Sequence, residues 1–241
     1  VSSSGETDAE ISVPPPLLPL TEKAVWFIIP AMETPLQQIL LVRHGTTEHN
    51  ERDILQGHID NPLNDRGQTE VNLLGDFLRD ETIGKIYTSP LLRAMQTCDA
   101  INRYHQAPVT VISTFTEVDL GDWEGMTYAA VKSDFSEFHD RWVVDPAIPI
   151  PNGESFLQVF ARVKAGVDEV LAGGRGTVVI CGHATVNRAI LAHLMKIDPA
   201  SARQFRQRNA SLSKFLVLAN GRDRRLVIDF WNSVAHLVKE S

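Results

Sequence analysis

Three short apolar runs in this chain each end in a cationic or imidazole side chain, and that pattern narrows the fold more than any other feature. Ile39-Leu40-Leu41-Val42 stops at Arg43-His44-Gly45, Ile86-Tyr87-Thr88 runs into Ser89-Pro90 with Arg93 just beyond, and Val178-Val179-Ile180-Cys181 runs into Gly182-His183. Continuous apolar runs of this length read as strands covered on both faces, as in parallel sheets. Strands are expected at 39–43, 85–88, 109–112 and 177–181, with helical stretches between them. Asn64-Asp65 caps a helix near 67–79, where Val71, Leu74 and Leu78 recur at helical spacing. Ser89 reads as an N-cap with Pro90 at the first helical position, leading into a helix with Leu91, Met95, Cys98 and Ile101 on one face. A long helix over 155–171 ends at Gly173-Gly174, and another follows over 185–195. Runs at 211–218 and 225–230 flank Asn220-Gly221, a hairpin signal. Residues 127–142 read as an irregular helix carrying Phe135, Phe138 and Trp142, a cap over a pocket. The alternation predicts an α/β fold: a three-layer α/β/α sandwich with a mostly parallel sheet, closed by an antiparallel hairpin.

In such sheets ligands collect beyond the C-terminal ends of the strands. Two histidines and two arginines at three strand ends describe a pocket for a tetrahedral dianion. His44 is the candidate nucleophile, because a neutral imidazole nitrogen attacks phosphorus once the other nitrogen is fixed by an acceptor. Gly45 lets the backbone turn beside it. Arg43 and Arg93 each offer a planar fork to phosphate oxygens, and Arg93 falls in the first turn of its helix. His183 precedes a helix in the same way. An alkoxide leaving group needs a proton, and Glu117, Asp119, Asp122 and Glu124 are the carboxyls that compete to give it. Trp123 reads as a packing residue. Arg203, Arg206 and Arg208 read as a solvated helix face rather than contacts to a substrate's distal anion. The histidines form no HxH or HExxH pattern, so no metal site is expected. Glycine-rich nucleotide loops are missing too, and no cofactor is expected.

The net charge of −7 argues against nucleic acid or an anionic membrane surface as a partner. Cys98 and Cys181 form no CxxC motif and are expected to be buried, reduced thiols of a cytoplasmic protein. No apolar run approaches the roughly 20 residues of a membrane span. The longest near the N-terminus, Ala24-Val25-Trp26-Phe27-Ile28-Ile29, stops at Pro30 behind an acidic stretch, unlike a secretory signal. Residues 1–35 hold six of the thirteen prolines and five acids against one lysine, and are expected to be a disordered extension preceding a catalytic domain at 36–241. Met32 stands where such a domain would naturally start, so 1–31 read as an upstream extension without function.

Taken in order, LVRHGTTEHN (41–50), LQGHIDNPLNDRGQ (55–68), TSPLLRAMQT (88–97), TEVDLGDWEGM (116–126) and CGHATVNRAI (181–190) resemble the histidine phosphatase superfamily, which includes the phosphoglycerate mutases and broad-specificity acid phosphatases. The GDWEG block is similar to the phosphatase branch. Thr46 departs from the Glu or Gln of many relatives, at a position that is not catalytic. The resemblance implies a phosphoglycerate mutase-like fold and hydrolysis of a small-molecule phosphate monoester through a phosphohistidine on His44, independent of metal. It selects Glu117 as the proton donor and gives His183 and Asn50 phosphoryl contacts beside Arg43 and Arg93. Two alternatives stay open: a cofactor-dependent phosphoglycerate mutase, and a non-catalytic phosphate-binding module. Hydrolysis is favoured because only Val118 to Leu120 separate Glu117 from the GDWEG block, and because the chain ends soon after Trp231 to Leu237, with no extended tail to close the pocket. The alcohol half of the substrate is expected to meet residues 127–160. The oligomeric state is left open, a homodimer included.

Overall fold

The structure, a computed structural model, describes residues 34–220 and 223–238. The readings made on residues 1–33, Met32 among them, and the tip of the hairpin lie outside the described residues. From Pro35 onward the chain forms one unit. Its strands are β1 (Gln37–Arg43), β2 (Ile83–Thr88), β3 (Val109–Val111), β4 (Gly176–Gly182), β5 (Leu212–Asn220) and β6 (Asp223–Ser233). Its helices are α1 (Glu48–Glu51), α2 (Asp65–Leu78), α3 (Leu92–Asn102), α4 (Tyr128–Asp134), α5 (Ser136–Val144), α6 (Phe156–Ala172), α7 (Ala184–Met195) and α8 (Pro199–Ala202).

The strands form one sheet in the order β3-β2-β4-β1-β5-β6. β1 to β4 are mutually parallel, and the β5–β6 hairpin adds to β1 antiparallel. Alternation along each strand divides the core. Ile39, Leu41, Val178, Ile180, Phe215 and Val217 face α6 and α7. Leu40, Val42, Val179, Cys181 and Leu212 face Leu74 and Leu78 of α2 and Cys98 and Ile101 of α3. Side chains that alternate with period two on the sheet meet helices on both sides, which makes the expected α/β/α sandwich. Helix α6 fits the groove because Phe156, Val159, Val163, Val167 and Val170 share one face, and Ser155 and Gln158 close a capping box at its start. Both cysteines are free and buried. Among the described residues no helix is long and apolar enough to cross a membrane.

Several local expectations need correction. Helix α3 begins at Leu92 with Leu91 as N-cap, so neither Ser89 nor Pro90 belongs to it. Ser89 is held outside by its own hydroxyl, which accepts the Leu91 N–H at 3.3 Å and meets His183 Nε2 at 2.7 Å. Met95 is 38% exposed, and the buried face of α3 is Arg93, Ala94, Thr97, Cys98, Ala100 and Ile101. The irregular 127–142 stretch is two helices broken at Phe135, which caps the first and opens the second. The arginines at 203, 206 and 208 do not share a helix face, because α8 ends at Ala202 and the chain continues as a loop.

Candidate active site

Register assembles the site. Arg43 of β1 pairs with Gly182 of β4, and Thr88 of β2 pairs with Cys181. The three strands therefore end level, and the ladder continues past them: His44 N–H donates to the Gly182 carbonyl and Ser89 N–H to the Cys181 carbonyl, both at 3.0 Å. Neighbouring strands lie about 4.8 Å apart, which sets the separation of the residues that follow. The His44 and His183 rings accordingly sit 5.2 Å apart between centroids.

His44 is 3% exposed, and its Nδ1 lies 2.7 Å from the Gly45 carbonyl. A carbonyl only accepts, so Nδ1 carries the hydrogen and Nε2 keeps its lone pair. Burial, then the charges of Arg93 and Arg43, hold the ring's pKa well below the usual histidine range, against the opposing Gly45 bond. The turn itself is clamped. A Cβ on Gly45 would come within 2.7 Å of Val71 Cγ1, and one on Gly67 within 1.9 Å of the Thr46 carbonyl, so the start of α2 presses directly on the turn. The Thr46 N–H and hydroxyl both reach Glu70 of α2, at 3.0 and 2.7 Å, and the Gly45 N–H reaches the Thr97 hydroxyl of α3 at 3.2 Å.

His183 is fully buried behind His44 and is the N-cap of α7. When the Ser89 hydroxyl, which accepts from Leu91, donates to His183 Nε2, the imidazole hydrogen sits on Nδ1. That Nδ1 has no protein partner, and neither has Nε of Arg43 or of Arg93. Burial, then the Arg93 charge, lowers the His183 pKa well below its usual range. Arg93 is 1% exposed, with its terminal nitrogens on the carbonyls of Ile59 and Gly57 at 2.8 Å each. Arg43 donates to the Gln207 carbonyl at 2.7 Å. Burial pushes its pKa down to about 10 while Glu117 opposes the shift, so it remains a cation at neutral pH.

Glu117 reaches the same space from the loop before Gly121. Its carboxylate accepts N–H groups of Val118 at 2.9 Å and of Thr185 and Val186 at 3.2 Å each. It thereby supplies the side-chain cap that His183 does not give to α7. Arg162 fixes the loop, holding the carbonyls of Thr114 and Glu117 while pairing with Glu154. The rival carboxylates are committed elsewhere: Asp119 to Gly121 N–H, Asp122 to Asn152 and Glu124 to His58 N–H. Trp123 packs among Phe135, Phe138 and Trp142, away from the cavity. Asn50 closes the capping box of α1 with its Oδ1, which leaves its amide nitrogen unused.

Arg43, His44, Asn50, Arg93 and Glu117 thus line one cavity of about 790 Å³, with His183 behind its floor. Its outer wall comes from Leu55, Leu120, Trp142, Val143, Val144 and Phe156, together with Arg188, Ser201, Arg203 and Gln204. The substrate-facing surface therefore extends beyond the expected 127–160 stretch to α7 and α8. Arg206 and Arg208 line a second cavity with Arg66 and Glu70, on the other side of Arg43. Sequence reasoning passed over Arg188, and over Asn209, whose amide nitrogen reaches the carbonyls of His44 and Gly45 and Asn50 Oδ1. Arg188 carried a signal, one helical turn after Thr185; Asn209 carried none. Among the described residues no group of three or more His, Cys, Asp and Glu side chains is arranged to hold a metal ion.

The family model of the histidine phosphatase superfamily (branch 1) matches residues 39–232. A bifunctional protein of Mycobacterium tuberculosis is 36% identical over 163 residues, 67% of this chain, and the match spans 44% of that relative's length. Phosphoserine phosphatase 1 of Hydrogenobacter thermophilus is 33% identical over 202 residues, which cover 83% of this chain and 94% of that protein. Among solved structures, mycobacterial glucosyl-3-phosphoglycerate phosphatase in complex with VO3 has a TM-score of 0.75 at 28% identity, covering 81% of this chain and 99% of that one.

Proposed function

This chain belongs to the histidine phosphatase superfamily, and from that membership we propose that it is a cytoplasmic phosphate monoester hydrolase working through a phosphohistidine on His44. The observation that carries the reading is the His44 tautomer. Its Nδ1–H is committed to Gly45, which leaves the Nε2 lone pair free on a ring that lines the cavity with Arg43 and Arg93.

In the first half-reaction His44 Nε2 attacks phosphorus as the bond to the alcohol oxygen breaks, and Glu117 gives its proton to that oxygen. In the second, water attacks the phosphoryl group on Nε2, its proton passes to the Glu117 carboxylate, and inorganic phosphate leaves. Arg43, Arg93, the Asn50 amide and His183 Nδ1–H hold the phosphoryl oxygens. Among the described residues, Nε of Arg43 and of Arg93, His183 Nδ1 and the Asn50 amide nitrogen make no bond to protein, while carbonyls of Gln207, Ile59 and Gly57 fix the two forks, so the donors are preorganised, the condition under which electrostatic stabilisation is strongest. The arginines supply the positive charge that a metal ion would otherwise bring, so turnover is expected to survive exhaustive chelation and to be inhibited by vanadate.

Hydrolysis is favoured over transfer by the open outer wall, where Val144 is 77% exposed and water has access. Two of the three relatives named above are phosphatases by name. Purified protein supplied with 3-phosphoglycerate, with and without a bisphosphate primer, tests the choice. Phosphate release exceeding isomerisation is expected, and primer-dependent isomerisation outrunning release would make the protein a mutase.

A further inference from the structure

Two arginines in the cavity have no role in the chemistry above. Arg188 lies on α7 one turn after Thr185, whose N–H holds the Glu117 carboxylate. One turn advances a helix by about 5 Å, so Arg188 stands just beyond the group that protonates the leaving oxygen. Its Nε is fixed on the Phe205 carbonyl at 2.7 Å, and its terminal nitrogens make no hydrogen bond among the described residues. Arg203, just after α8, is held over the Trp142 ring at 4.8 Å, with one terminal nitrogen on the Trp142 carbonyl at 2.8 Å. Both guanidinium groups are partly withdrawn from water, which lowers the pKa of each; the Arg188 charge adds to that at Arg203, and at Arg188 the added cation is Arg206. Among the described residues neither forms an ion pair with a carboxylate.

Charge balance gives the pair its meaning. Four arginines line the cavity, and its two carboxylates are Glu117 and Glu154, the latter already paired with Arg162. A phosphate dianion satisfies Arg43 and Arg93. Even with Glu117 ionised, positive charge remains at the outer end, on planar forks whose orientation is already fixed. Placing like charges side by side is unfavourable unless an anion joins them, and guanidinium forks suit carboxylate and phosphate oxygens.

Resting on the phosphatase reading, we propose that Arg188 and Arg203 form a second anion subsite for the leaving group, and that the substrates are phosphate monoesters whose alcohol carries a further carboxylate or phosphoryl group. The apolar wall of Leu55, Val143 and Phe156 leaves room for a carbon skeleton between the two anions.

Matched esters test the subsite. 3-Phosphoglycerate and glycerol 3-phosphate differ by a carboxylate against a hydroxymethyl group; fructose 1,6-bisphosphate and fructose 6-phosphate differ by a phosphoryl group. The wild-type kcat/KM is expected to favour at least one anionic member by roughly tenfold or more, the value of one charged hydrogen bond, and the pair that shows it identifies the anion. Arg203→Gln and Arg188→Gln are each expected to collapse that preference. Arg188 is packed more tightly, so Arg203→Gln carries the test if the other variant does not fold. Dissociation constants of the four esters for His44→Ala, measured by calorimetry, read the subsite without turnover. No release from any ester, p-nitrophenyl phosphate included, would reject the phosphatase reading, while a binding preference in His44→Ala would still support the subsite. Equal constants within both pairs, or equal losses on all esters in Arg203→Gln, would overturn it.

Discussion

The two ends of the cavity are built differently. At the inner end, His44 and His183 follow strand termini locked in register and Arg93 sits in the first turn of α3, all three at most 3% exposed. At the outer end, the wall comes from the last turn of α5, from α8 and from the loop after it, where Val143 and Val144 are 47% and 77% exposed. Parallel pairing fixes the inner end through backbone hydrogen bonds, whatever the loops do. The outer end depends on short helices and side chains with room to move. The proposed reaction chemistry draws on the rigid part of the fold, and the proposed substrate choice on the part that changes at little cost to stability.

Substitutions can break or sharpen that contrast. His44→Ala is expected to lose turnover by on the order of 10⁴-fold or more, with the fold retained by circular dichroism. Glu117→Gln should cost about 10²–10⁴-fold on alkyl phosphates, and distinctly less on p-nitrophenyl phosphate, whose leaving group hardly needs a proton; equal losses on both would remove Glu117 from the proton's path. Arg93→Lys keeps the charge but not the fork and should lower kcat by roughly 10²–10³-fold. Val144→Ser at the rim should change stability by no more than about 0.5 kcal/mol and kcat by less than any of these. A rim effect as large as that of Arg93→Lys would erase the contrast.

Acid should expose the same difference through stability. Burial and the neighbouring arginines lower the folded-state pKa of both His44 and His183 well below the ordinary value of 6.5. The unfolded chain therefore binds more protons than the native one as pH drops below that value. Stability is full above about pH 6.5 and is lost as pH falls toward the folded-state values. Denaturant melts between pH 7.5 and 5 should show falling stability, with a slope of about two protons from these two rings and a further part from His236, whose pKa burial also lowers. The slope should shrink in His44→Ala. A flat profile would mean that the imidazoles are not held neutral.

Much of the inner end was legible in the sequence because several of its side chains directly follow an apolar run, and the run fixes where the strand stops. Arg43, His44 and His183 are placed by that rule alone. Glu117 needed the family resemblance, since the residues alone left Asp119, Asp122 and Glu124 competing with it; in the structure those three are held by Gly121, Asn152 and His58. Ser89 was misread because its residue type suits an N-cap, while tertiary contact with His183 made it a partner to the imidazole. The basic stretch from Arg203 to Arg208 was misread for a related reason. Composition shows charge but not where a four-residue helix ends, and only the end of α8 sends Arg203 to one cavity and Arg206 and Arg208 to the other.

The central claim is that His44 Nε2 becomes covalently phosphorylated during hydrolysis. Mixing the enzyme with a phosphate monoester labelled in its phosphoryl group and quenching in base within milliseconds tests it most directly. The account predicts a label on the protein that is stable to base, labile to acid, mapped to the peptide containing His44, and missing in His44→Ala. Phosphate release at the wild-type rate with no such label at any quench time, or from His44→Ala itself, would contradict it.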